Sequence, residues 1–172
     1  MKSMFLLIPA ALLAFQLSAQ AFTGDDYFMH GNIFAQQATA LAKEGNASAA
    51  AQAYDKAIDA YLQAAATDPA KYGIKSNLSV AIVLGQKKDY EKAAKVLELI
   101  IEKHPEYPEI WLVYKILGKV RADQKQPAAA VEAYEAFLNK VPAEKLKPKE
   151  KEEITKQIAL LRQQAGGQTG TP

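Results

Sequence analysis

The chain has 172 residues, with 21 Lys and Arg against 19 Asp and Glu, two His and no Cys. Hydrophobic residues make up 49% and charged residues 23%, the proportions of a globular chain. A formal charge of +2 is too small for a nucleic-acid binder that works by field strength. Without Cys there is no disulfide framework, thiolate zinc site, iron–sulfur cluster, Cys nucleophile or Cys-linked lipid.

Residues 1–21 have the order of a secretory signal peptide. Lys2 precedes an apolar run from Met4 to Leu17, broken only by Pro9 and Gln16, and Ser18-Ala19-Gln20-Ala21 follows. A short apolar helix enters the membrane while its basic end stays behind, and Ala19 and Ala21 supply the small side chains a signal peptidase requires. The run falls short of the ~20 apolar residues of a spanning helix. Cleavage after Ala21 is expected, so the chain is placed in the periplasm or outside the cell, starting at Phe22, with no stable membrane insertion.

Residues 22–142 read as helical hairpins, in units of about 26–69, 70–105 and 106–142. In the first, Phe34, Ala38 and Leu41 form the stripe of the leading helix, and Gly45-Asn46 is the natural turn, since both tolerate positive φ. A second helix from about Ser48 to Thr67 runs roughly two turns longer than its counterparts. Two packing registers stay open there, Ala50–Tyr54–Ala57 and Ala57–Tyr61–Ala64, because a shift of seven keeps the same face. In the second unit Asp89 stands as an N-cap, Ala93, Leu97, Ile100, Ile101 and His104 recur at helical spacing, and Pro105 stops the helix. In the third, Pro127 occupies the first helical turn, and Ala130, Tyr134, Phe137, Leu138 and Val141 form the stripe. Residues 143–165 are a charged linker and a capping helix opened by Pro148, with Ile154, Ile158 and Leu161 on one face. Residues 166–172 are a flexible tail.

The three units align. In each a small residue (Ala57, Ala93, Ala130) sits twelve before a Pro (Pro69, Pro105, Pro142) and a large one (Tyr61, Leu97, Tyr134) sits eight before it. The Pro-to-Pro spacings are 36 and 37, a period typical of solenoids. Together with the fragment Lys88-Asp89-Tyr90-Glu91-Lys92-Ala93, this pattern resembles the tetratricopeptide repeat family from about Asp26 to Pro142. Asn77-Leu78-Ser79 and Trp111 fall near the family's leading-helix positions, displaced so that the second and third leading helices are expected to be slightly long. The resemblance implies an all-α, right-handed α-solenoid of about three helix-turn-helix units, closed by the C-terminal capping helix.

Candidate chemistry is sparse, and no catalytic residue, cofactor site or metal site is assigned. His30 and His104 lack ligand-type neighbours at i+3 or i+4. Asp25 and Asp26 suit the positive end of a helix. The pairs Asp55/Asp59 and Glu98/Glu102 read as polar faces of helices. Lys145, Lys147, Lys149 and Lys151 are interleaved with Glu144, Glu150 and Glu152, which cancels most of their field. Asn46-Ala47-Ser48 and Asn77-Leu78-Ser79 match the glycan acceptor pattern by chance.

What remains is the concave groove that the resemblance implies, lined by leading-helix side chains: Ala35, Thr39, Asn77, Val80, Leu112, Ile116 and Lys119. The family's grip on a C-terminal carboxylate uses Lys and Asn from consecutive repeats. Here only Asn77 matches, and Ala35, Thr39 and Val113 stand where Lys, Asn and Arg are wanted. The expected function is a non-enzymatic scaffold or adaptor in the bacterial cell envelope, binding a peptide or protein but no nucleic acid. The alternative is an accessory protein that holds a small ligand for an envelope transport or polymer-processing system.

Overall fold

A computed structural model describes residues 21–168. The leader and the last four residues lie outside this range, so signal-peptide processing and most of the predicted tail fall outside the described residues. Seven α-helices follow one another: α1 (Gly24–Lys43), α2 (Ala47–Thr67), α3 (Pro69–Gln86), α4 (Tyr90–Lys103), α5 (Ile110–Asp123), α6 (Pro127–Lys140) and α7 (Pro148–Gln168). Each packs chiefly on its neighbours in sequence, with lighter contacts from α1 to α3 and from α3 to α5. That is the contact pattern of a solenoid, in which no helix meets one far away in the chain.

Local chemistry sets the helix starts. Thr23 and Asp26 form a reciprocal capping box at α1: Asp26 N–H donates to Thr23 Oγ1 at 3.2 Å, and Thr23 N–H donates to Asp26 Oδ2 at 2.8 Å. Asn46 Oδ1 accepts from Ala49 N–H at 3.2 Å, and Asp68 Oδ1 from Lys71 N–H at 3.0 Å, with Pro69 opening α3. Asp89 departs from the expectation. It occupies the cap position of α4 but makes no side-chain cap bond, because its carboxylate turns to the Lys92 ammonium at 2.7 Å.

The turns inside the hairpins share one geometry. Asn46 N–H reaches Leu41 O, Asp89 N–H reaches Leu84 O and Gln126 N–H reaches Arg121 O, at 2.9 to 3.0 Å. Each residue before them has positive φ: Gly45 at 80°, Lys88 at 66° and Lys125 at 62°. These are Schellman closures, which satisfy the last carbonyls of the preceding helix. The sequence pointed to the first through Gly45-Asn46. Lys88 and Lys125 carry no such signal, since the left-handed region disfavours a lysine.

Hairpin packing settles the first register. Ala50, Tyr54, Ala57, Tyr61 and Ala64 are all buried, so both candidate stripes lie inside. The closest approach is at Tyr61, whose ring leaves no space for a Cβ on Gly31: one built there meets Tyr61 carbons at 2.6 Å. Gly118 stands in the same relation to Tyr134. The first hairpin therefore contains the same glycine-to-ring contact as the third. It is extended instead to 20 and 21 residues, against 14 and 14 in α5 and α6. The leading helices differ from the expectation: α3 is long at 18 residues, but α5 has 14, and the surplus residues form the connection before Ile110. His104 is exposed there, as the C-cap of α4.

At the C-terminal end, Ile154, Ile158 and Leu161 of α7 bury against Ala130, Tyr134, Phe137 and Val141. The helix reaches Gln168, past the expected start of the tail.

Candidate functional site

The leading helices α1, α3 and α5 lie side by side, and two cavities open between them. The first, about 470 Å³, has Asn32, Ala35, Gln36, Thr39 and Lys43 of α1 on one wall and Ser79, Ile82, Val83 and Gln86 of α3 on the other. The second, about 330 Å³, faces Ile82 and Gln86 across to Ile116, Lys119, Val120 and Asp123 of α5. Ile82 and Gln86 belong to both, so the two cavities form one groove with Ile82 at its centre. Ile82 is 40% exposed, an unusual state for an isoleucine in a helix whose other large aliphatic side chains are mostly covered.

The polar groups of the groove are mostly occupied. Tyr61 Oη donates to Asn32 Oδ1 at 2.7 Å, which leaves the Asn32 amide N–H groups for another acceptor. Burial raises the Tyr61 phenol above its ordinary value, against a lowering contact from Ser79, and keeps it a donor. Thr39 Oγ1 donates to Ala35 O at 2.9 Å, within its own helix. Lys119 is paired with Asp123 at 2.8 Å. The groove offers amides, an apolar floor of Ile82, Val83, Ile116 and Val120, and the cations of Lys43 and of the Asp123-paired Lys119, and it has no convergent set of cations to grip a carboxylate.

The residues named from sequence divide accordingly. Ala35 and Thr39 line the first cavity; Ile116 and Lys119 line the second. Leu112 and Ile116 are half-buried and pack against the core, so neither is a free surface group. Val80 is corrected: it is 6% exposed and belongs to the core. Asn77 is corrected too. It is half-buried and lines neither cavity, because at about 100° per residue it sits about 160° around the helix from Ser79 and about 140° from Ile82. Val113, where an Arg was wanted, is fully buried. Ile82, Gln86, Asn32 and Gln36 were missed; the i, i+3, i+4 spacing of Ser79, Ile82, Val83 and Gln86 was the available signal.

The acidic pairs tie helices together. Asp25 Oδ1 accepts from Lys71 Nζ at 2.6 Å and from the Tyr72 hydroxyl, joining α1 to α3. The Lys71 and Tyr72 hydrogen bonds hold the Asp25 carboxyl below its ordinary range. Asp55 pairs with Lys87, and Glu98 with Arg121. Glu150 pairs with Lys115 beside Lys147 and Lys149, so part of the basic linker meets α5. Among the described residues no three His, Asp or Glu converge as metal ligands, and no helix is long and apolar enough to cross a membrane.

Comparison with known proteins fits this geometry. The tetratricopeptide repeat family model matches residues 78–107, the stretch containing α4 and most of the groove-lining part of α3. The first tetratricopeptide repeat domain of human RPAP3 superposes with a TM-score of 0.56 at 19% identity, covering 83% of this chain and 98% of that one.

The fold is a tetratricopeptide repeat α-solenoid.

The Sgt2 tetratricopeptide repeat domain from Aspergillus fumigatus is similar at a TM-score of 0.53 and 26% identity, over 78% of this chain and 83% of that one. The first such domain of Spaghetti, solved with the HSP90 peptide SRMEEVD, gives 0.51 and 20% over 78% and 98%. In sequence, 96 residues are 41% identical to the heat-shock protein cognate co-chaperone sgt12 of the same fungus. The match spans 55% of this chain and 26% of that protein's length.

Proposed function

We propose that this tetratricopeptide repeat chain is a non-enzymatic interaction module whose α1–α3–α5 groove takes an extended peptide segment. The observation that carries the reading is Ile82, an exposed isoleucine shared by two adjoining cavities and flanked by the amides of Asn32, Gln36 and Gln86. An apolar ligand side chain on Ile82 removes surface from water, at about 25 cal/mol per Å² before the costs of association. The flanking amides suit a peptide backbone, which offers a donor and an acceptor at every residue. A similar domain carries an HSP90 peptide, which supports peptide binding as the mode. With Lys43 as its one unpaired cation among the described residues and no convergent set, the groove does not favour a carboxylate terminus as the ligand.

The test is selection of binding peptides from a random library, with Ile82→Asp as the counter-screen. Wild type should enrich sequences with a recurring apolar residue, their affinity should change little with salt, and Ile82→Asp should lose them while keeping its helical circular dichroism. Enrichment of acidic C-terminal sequences with steep salt dependence would refute the reading. The setting is a separate proposal. The leader and Ala19-Gln20-Ala21 support export across a bacterial inner membrane; the co-chaperone relatives lend that setting no support. Intact mass of protein from the exported fraction should give an N-terminus at Phe22, and a species retaining Met1 there would refute it.

A further inference from the structure

The outward face of α1 carries an exposed apolar pair. Met29 and Ile33 are exposed by 52% and 51%, and Phe22, just ahead of the helix with its ring against Tyr27 and His30, by 55%. Among the described residues α7 covers the C-terminal end of the array, while nothing covers this face. The inward face of α1 holds Gly24, Gly31 and Ala38, spaced by seven and all buried. The outward one runs through positions 26, 29, 33, 36, 40 and 43, alternating steps of three and four. That is the spacing of a two-stranded coiled coil, with Met29, Ile33 and Ala40 apolar and Asp26, Gln36 and Lys43 polar.

We propose that α1 pairs antiparallel with α1 of a second copy of this chain. Charge selects the orientation and the register. Antiparallel packing that seats Ile33 against Gln36 of the second copy also seats Met29 against Ala40 and Asp26 against Lys43, each contact occurring twice by symmetry. Lys43 is exposed and forms no ion pair among the described residues. The capping contacts of Asp26 all fall on Oδ2, leaving Oδ1 for a second cation. Glu44 then approaches Asp25, whose charge Lys71 already offsets. A parallel pair sets Asp26 against Asp26 and Lys43 against Lys43, and gains neither contact. Gln36, Ala40 and Lys43 also line the first groove cavity, so the pair borders the groove without entering its α3–α5 half.

The experiment is sedimentation equilibrium of the full chain and of its exported form, from micromolar to submillimolar concentration. Wild type should show a reversible monomer–dimer equilibrium. Ile33→Glu and Lys43→Glu should each weaken it about tenfold or more, and Asp26→Lys combined with Lys43→Glu should recover most of the loss. Because Asp26 also caps α1, a second measurement avoids it. The chain has no Cys, so Met29→Cys mixed with Ala40→Cys should give one oxidised heterodimer, in preference to either variant crosslinked to itself. A monomer throughout, a dimer indifferent to Ile33→Glu, or preferential self-crosslinking of Met29→Cys overturns the proposal. Monomers in the full chain alone assign the face to the apolar leader and overturn it for that form. Ile82→Asp should leave the dimer intact, which separates this inference from the groove reading.

Discussion

Gly118→Ala tests the helix packing most directly. In a solvated helix this change stabilises by about 1 kcal/mol, because alanine has the higher helix propensity. At position 118 the new Cβ falls 2.6, 2.7 and 2.8 Å from three carbons of the Tyr134 ring. Ordinary contact begins near 3.4 Å, so the ring or the helix must retreat by more than half an ångström. The ring has little room: Tyr134 is 3% exposed, burial pushes its phenol up to about 12, and it is packed with Phe137 and the α7 aliphatics. Overpacking of this kind costs about 1–3 kcal/mol, which outweighs the propensity gain. Net destabilisation of up to about 2 kcal/mol is expected, a fall of up to roughly 8 °C in Tm for a domain of this size. Gly73→Ala is the control. A Cβ there meets nothing within 4 Å, so propensity acts alone and the variant should gain up to about 1 kcal/mol. The second hairpin supplies a rescue, since Ala81 and Leu97 have the same sixteen-residue separation as Gly118 and Tyr134. Gly118→Ala with Tyr134→Leu should recover part of the loss. Urea denaturation followed by circular dichroism reads all three. Equal stabilisation by Gly118→Ala and Gly73→Ala would refute the close helix approach.

Lys88→Gly and Lys125→Gly should each stabilise by up to about 1 kcal/mol in the same assay, because glycine relieves the positive φ that lysine disfavours. Ser76 is fully buried and its hydroxyl has no hydrogen-bond partner among the described residues, so Ser76→Ala should be neutral or stabilising by about 1 kcal/mol. Ending the chain at Lys147 removes the cover of Phe137 and Val141, with burial of three aliphatic side chains worth about 1.5–3 kcal/mol each as an upper bound. Thermal melting should drop and light scattering should report association; an unchanged, monomeric truncation would contradict the capping role. Asp25 has its folded pKa depressed by the Lys71 and Tyr72 hydrogen bonds, below the ordinary 3.8. Its contribution is therefore complete above about pH 3.8 and is lost as pH falls through the lower folded value. The stability gap between wild type and Asp25→Asn should be constant near neutrality and close only in strong acid; a gap that closes above pH 5 would contradict the tie.

The repeat itself was legible in the sequence, because it is written in residue size. Ala57, Ala93 and Ala130 each precede a large residue and a Pro at fixed distances, and helices can pack closely only where a small side chain faces a large one. Helix starts were legible at Asp89, Pro127 and Pro148, and the stripe of α7 named its buried face correctly. Other features needed the assembled fold. A seven-residue slip along α2 keeps the same face, so only the glycine opposite Tyr61 distinguishes the registers, and that glycine lies on another helix. The groove was hardest for the same reason. Leu112, Ile116 and Val80 are apolar in the same way as Ile82, yet α3 turns Val80 into the core and leaves Ile82 uncovered between α1 and α5. Periodicity shows which residues share a helix face, but whether that face meets another helix or water depends on where three separate helices come to rest.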